Sequence, residues 1–245
     1  MNGLTVRVRT RSKVLDYRFV GRDQPPERWW EKSYGRWTDF SRPTILVEPG
    51  KFLVSGIVSM RTDSKGTRIH YALHALVAPE GLEVAAQVLA WLCEIRQRTG
   101  SFEEAGARLD ALGEEAWSKA VQGVNDEIDA AVMALLRGTP GRPETDPVPE
   151  PFVADVDNPR AFARLGAMAA KVVALEPGRL ERAVYLNLAS SSELATLLQH
   201  DGSAIICRKV DTRPKPSRPL LAGAAVMILG LGLVLVAVFL FRAAG

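Results

Sequence analysis

The chain has 245 residues, with 31 Lys and Arg against 28 Asp and Glu for a formal charge of +3. Its two cysteines, Cys93 and Cys207, offer neither a disulfide framework nor a metal-ligand spacing, which excludes a stapled secreted domain and a zinc module; no cofactor and no metal are expected. Residues 1–74 hold 14 basic and 7 acidic side chains, residues 75–207 hold 11 and 20, and residues 208–245 hold 6 and 1, so much of the basic surplus is C-terminal and nucleic acid is not an expected partner.

In chain order, the start MNGLTVRVRT lacks the apolar stretch of a secretory signal. LTVRVRT and KVLDYRFV alternate apolar and polar residues as a hairpin around Arg11 and Ser12. The expected register sets Thr10 opposite Lys13, Val8 opposite Leu15, Val6 opposite Tyr17 and Leu4 opposite Phe19. A three-strand antiparallel meander is expected next, from TILVE through KFLVSGIVSM to TRIHYALHALV. Its first turn, Pro49-Gly50, would place Glu48 opposite Lys51. The last strand shows Ile69, Tyr71, Leu73, Ala75 and Val77 on one face, and Arg68, His70 and His74 on the other.

Helices should cover the apolar face. Pro79 opens the first, which carries Leu82, Ala86, Leu89 and Cys93 on one side and ends at Thr99-Gly100. Ser101 and Glu104 form a capping-box pattern for a short second helix. Val121, Val124, Ile128, Val132 and Leu135 read as the stripe of a third, stopped by Gly138.

The run TPGRPETDPVPEP, residues 139–151, has five prolines and reads as a linker or loop. Residues 152–208 follow as a small α/β unit: strand PFVADV, a helix from Asn158-Pro159 to Leu175, strand RAVYLNLA, a short helix capped by Ser190, and strand SAIICRKV. Some 60 residues make a poor core alone, so this unit is expected to pack on the first domain, residues 1–138. The fold class is α+β: an antiparallel sheet, hairpin plus meander, covered by helices, with the α/β unit and one C-terminal transmembrane helix. The element order of residues 4–138 resembles the longin and profilin-like layout, an analogy of order without a shared motif. It implies a central antiparallel sheet and no particular activity.

Residues 209–218 form a basic neck, and Pro219 to Phe241 contain no charged or amide side chain. At about 1.5 Å per residue this run measures roughly 34 Å as a helix, enough to cross a hydrocarbon core of about 30 Å. Arg208, Lys209, Arg213, Lys215 and Arg218 precede it and Arg242 alone follows. That asymmetry places the N-terminal domain in the cytoplasm and the C-terminus outside an inner membrane, with the bilayer as partner of residues 219–241. The same cations suit anionic headgroups. The arrangement resembles the tail-anchored class of single-pass proteins, and the wealth of Ala, Arg, Val and Leu has the look of a high-GC bacterial chain.

Chemistry is sparsely marked. His70 and His74 with Arg68 are the catalytic candidates, and the meander register would bring Ser59 and Ser55 near them, but no carboxylate on that face could orient a base. PPERWWEKSYGRW gathers Trp29, Trp30, Tyr34 and Trp37, large aromatics with polar tips that suit a partner interface or close one edge of the sheet core. No phosphate-binding glycine loop, HExxH or GxSxG occurs. The expected function is a non-enzymatic, membrane-tethered cytoplasmic module that recruits or regulates a protein partner. The alternative is a membrane-localised enzyme or toxic effector using the His70 and His74 face.

Overall fold

A computed structural model describes residues 3–21, 41–124, 127–141, 152–179, 181–186 and 202–207. The chain divides into two units, Met1–Val210 and Asp211–Gly245, and all described residues belong to the first. Eight strands form one sheet: β1 (Leu4–Thr10), β2 (Arg18–Val20), β3 (Thr44–Glu48), β4 (Lys51–Thr62), β5 (Arg68–Val77), β6 (Phe152–Asp155), β7 (Arg182–Leu186) and β8 (Gly202–Cys207). Their spatial order is β2-β1-β5-β4-β3-β7-β8-β6. The six strands from β2 to β7 in that order are antiparallel, while β8 runs parallel to both β7 and β6. The protein is thus α+β, with a six-strand antiparallel sheet that residues 152–207 extend through the β3–β7 pairing.

Among the described residues five α-helices accompany the sheet: α1 (Leu82–Thr99), α2 (Glu103–Asp110), α3 (Glu114–Gln122), α4 (Ile128–Arg137) and α5 (Ala161–Val173). Among the described residues no helix is long and apolar enough to cross a membrane; residues 208–245, with the basic neck and the apolar run, lie outside the described residues. The same holds for the tryptophan segment and for the helix expected after Ser190.

The core lies between the helices and one face of the sheet. Val6, Val8, Ile45, Phe52, Val54, Tyr71, Leu73 and Tyr185 from the strands meet Leu89, Leu92, Trp117, Phe162, Leu165 and Met168 from the helices. Helix α2 lies directly against β4: a Cβ on Gly106 would sit 1.8 Å from the Val58 carbonyl oxygen. The middle of the second face is buried too, with Leu46, Leu53, Ala72, Val184 and Leu186 outside that cluster, while Thr5 is exposed and Arg9, Val58 and His70 are half-buried.

Three local expectations need correction. Strands β1 and β2 pair as Val8 with Val20, Arg9 with Phe19 and Thr10 with Arg18, so residues 11–17 form a loop instead of a tight turn. Its cause is Ser12, whose hydroxyl accepts the Val14 and Leu15 N–H groups and closes a local turn that competes with the ladder. The stripe from Val121 to Leu135 belongs to two helices, because Gly123 adopts φ 80° and ends α3. The box at Ser101 does not form: Phe102 occupies the N-cap, and Glu104 is drawn to Arg98 instead. The turn at Pro49-Gly50 places Glu48 opposite Lys51, and α1 ends at Gly100 in the left-handed conformation.

Candidate functional site

The alternation in β5 puts His70 and His74 on the second face, where His74 lies opposite Arg7 on β1 and Leu53 on β4, and His70 lies opposite Val58. They do not form a working pair. His74 is 1% exposed with the Phe19 ring edge-on at 6.4 Å. Burial first, then the nearby charges of Arg7 and Lys51, lowers its pKa to about 4, so it is neutral at physiological pH. Arg68 is turned away into an ion pair with Glu103 of α2, 2.7 Å. Two residues, Ser55 and Gly56, bulge opposite Ala72, and a further register shift follows Val58. Ser59 therefore points to the helix-covered face, and Ser55 donates its hydroxyl proton to the Arg42 carbonyl.

Ser59 belongs to a polar cluster that the sequence did not mark. It donates to Asp110 Oδ1 at 2.6 Å, the Tyr71 hydroxyl donates to the same oxygen at 2.7 Å, and the Met60 N–H donates to Oδ2 at 2.7 Å. Arg61 bonds Glu114 and the Tyr71 hydroxyl and lies over the Trp117 ring. Burial holds the Tyr71 phenol well above its ordinary range, so it acts as a neutral donor. Each member is already satisfied by another. The cluster pins the irregular end of β4 to α2 and α3, and Asp110, the carboxylate beside its serine, is already taken up by three donors.

An open site lies at the carboxyl ends of the parallel strands. From β6 the chain crosses by α5 over β8 to reach β7, and then returns to β8, so the direction of winding reverses here. In open α/β sheets such a reversal leaves a crevice beyond the strand ends, which is where ligands are commonly held. Here it measures about 690 Å³, between the C-terminal end of α1 and the N-terminal end of α5, and is lined by Pro43, Arg96, Gln97, Gly100, Val156, Asp157, Asn158, Pro159 and Phe162.

Arg96 is the fixed cation of this crevice. Its guanidinium lies 5.2 Å from the centroids of both Phe162 and Tyr185, and Nε donates to the Tyr185 hydroxyl at 2.9 Å. Its two terminal nitrogens make no hydrogen bond among the described residues. The loop is ordered by its own side chains: Asp155 Oδ1 accepts the Asp157 N–H, Asn158 Oδ1 accepts the Arg160 N–H, and Gln97 Oε1 accepts the Ala163 N–H. The amide NH₂ groups of Gln97 and Asn158 remain as donors beside Arg96, facing one carboxylate, Asp157. This set can hold a small anionic or mixed-charge group, and it contains no nucleophile.

A second hollow of about 560 Å³ lies along α1 and α5, lined by Ala90, Cys93, Gly166 and Ala167 among others. Complete burial pushes the Cys93 thiol up to about 12, which leaves it unreactive. Among the described residues no group of three or more His, Cys, Asp or Glu could hold a metal ion. Neither Arg96 nor the reversal is marked in the sequence, since strand order decides both. One signal did exist: β3 and β7 are nearly continuous apolar runs, the pattern of strands buried on both faces. Compared with protein families, curated proteins and solved structures, the chain matches none of them.

Proposed function

We propose that this chain is a membrane-tethered interaction or regulatory module, bacterial and non-enzymatic, whose α+β domain works in the cytoplasm next to an inner membrane. The observation that carries the reading is the run from Pro219 to Phe241, free of charged and amide side chains and preceded by Arg208, Lys209, Arg213, Lys215 and Arg218. A span of that length inserts as a helix, and its basic flank stays on the cytoplasmic side. Confinement to a surface raises the concentration at which the domain meets any protein recruited there. The burial of His74 supports the non-enzymatic side, because a neutral imidazole 1% exposed cannot exchange protons with a substrate.

Protease added to inverted membrane vesicles should digest residues 1–210 and leave a small protected tail. Survival of the large domain instead overturns the orientation. Exchanging residues 219–241 for an unrelated apolar span should preserve function, whereas deletion after Val210 should release a folded and inactive domain.

The second reading, a membrane-localised enzyme or effector, is favoured by one feature, the open crevice at Arg96. It would need that site and not the histidines. Arg96→Ala with unchanged stability and lost activity would select it, while loss of activity in His70→Gln would return the histidine face to consideration.

A further inference from the structure

Following the strand directions from β1 shows what shares an end of the sheet. Strands β1 and β4 run one way, β5 and β3 the other, and β7, β8 and β6 run with β1. The loop after β1, the turn after β4 and the carboxyl end of β8 therefore lie at one end. Strand β8 ends there at Cys207, two positions before the neck of residues 209–218 begins in the sequence.

This end has an unusual surface. Of the four exposed large apolar side chains among the described residues, Val14 at 75%, Leu15 at 39% and Met60 at 64% are all here. Lys13, Arg18 and Lys65 are exposed beside them and make no ion pair among the described residues, with Asp16 the one exposed acid in the loop. The loop is held in place. Ser64 donates its N–H to the Lys13 carbonyl at 3.1 Å, Arg11 pairs with Asp63 at 3.2 Å, and Arg61 donates to the Arg11 carbonyl at 3.1 Å. Tyr17 lies under Arg9 and Arg11 and accepts the His70 N–H. A rigid loop that presents aliphatic side chains ringed by cations fits the boundary between anionic headgroups and acyl chains.

We propose that this end of the sheet, through Lys13, Val14, Leu15, Arg18, Met60 and Lys65, rests on an anionic bilayer surface and holds the tethered domain in one orientation. The proposal builds on the tether reading. Each Lys or Arg near an anionic surface strengthens association about fivefold, so three cations give on the order of 100-fold, too little to bind a free domain firmly but ample once the chain is confined there. Reach permits it. The eleven residues 208–218 could span at most about 36 Å, and the five strand spacings from β8 to β1 measure roughly 24 Å.

The test uses the full chain in vesicles of phosphatidylcholine with or without phosphatidylglycerol, in a Cys207→Ser background where the remaining Cys93 is buried. An environment-sensitive fluorophore is placed at Val14→Cys, with Lys65→Cys as a second position. Glu80→Cys, in the turn at the opposite end, is the reference. Spin-labelled lipid should quench the first two at least several-fold more than the third in anionic vesicles, and Lys13→Glu with Arg18→Glu should bring Val14 down to the reference. Equal quenching at the two ends, or quenching that survives charge reversal, overturns the proposal. No quenching at Val14 in a chain that resists alkaline extraction also overturns it and leaves the patch to a protein partner. Release by alkaline extraction instead removes the tether reading itself, and this proposal with it.

Discussion

The two faces of the sheet are buried by different means and to different extents, the first throughout and the second over its middle. On the first, Val, Leu, Ile and aromatic side chains meet five helices in one apolar cluster. On the second, Leu46, Leu53 and Val184 share the surface with Arg7 and His74, all of them buried. Burial on the first face is the ordinary consequence of amphipathic elements. The second places charged and titratable groups out of water, where each stays only in the ionisation state its surroundings permit. A face that reads as polar in sequence can therefore belong to a core, and its polarity then makes stability depend on conditions.

If both faces are true core, truncation should cost alike. Leu89→Ala on the first and Leu53→Ala on the second should each lose about 3–5 kcal/mol of unfolding free energy in urea, both residues being 0% exposed. A loss below about 1 kcal/mol at Leu53 would show the second face to be loosely covered. Gly106→Ala tests the helix side from the opposite direction: with 1.8 Å available, α2 must lift from β4, at about 3 kcal/mol. Gly166→Ala, whose Cβ would lie 3.5 Å from its neighbours, should change stability by less than about 1 kcal/mol.

The faces should also separate with pH. His74 in the folded chain is lowered to about 4 from an ordinary 6.5. Above pH 6.5 it is neutral in both states and contributes no slope. Below that the unfolded chain takes the proton first, so stability is lost as pH falls from about 6.5 towards 4, by roughly 3 kcal/mol in total. His74→Phe should flatten that part of the profile, and an unchanged slope would assign it to other groups. The smallest effect is expected at Arg68→Ala, whose pair with Glu103 is about half exposed on both sides; thermal unfolding should register about 0.5 kcal/mol or less.

Much of the first face could be read from the sequence because alternation and turn chemistry are local. Glu48 and Lys51 had to face each other once Pro49-Gly50 made the turn, and Gly100 had to end α1. The register of β1 with β2 could not be read in the same way, since Ser12 offers a local bond that no alternation reveals. The histidine face was visible as a set of residues and misleading as a site. Which of its members is exposed depends on bulges at Ser55 and beyond Val58 and on cross-strand neighbours far away in sequence. The crevice at Arg96 was not readable at all: it joins residues from α1, the loop before α5 and the approach to β3, brought together by the order in which strands are laid down.

The place of β8 has a mechanical consequence. This last described strand sits between β7 and β6, hydrogen-bonded along both sides, and the C-terminal segment follows it in sequence. A pull directed along β8 from its carboxyl end would load those bonds together, in shear. An antiparallel edge strand pulled from its end pairing would instead release bonds one after another. Since β6 pairs with β8 alone, extraction of β8 would also cast off β6 and open the sheet back to β7. A domain attached in this way gives no gradual slack under load: it holds its full shape until the whole edge is torn away, at a rate set by the unfolding barrier.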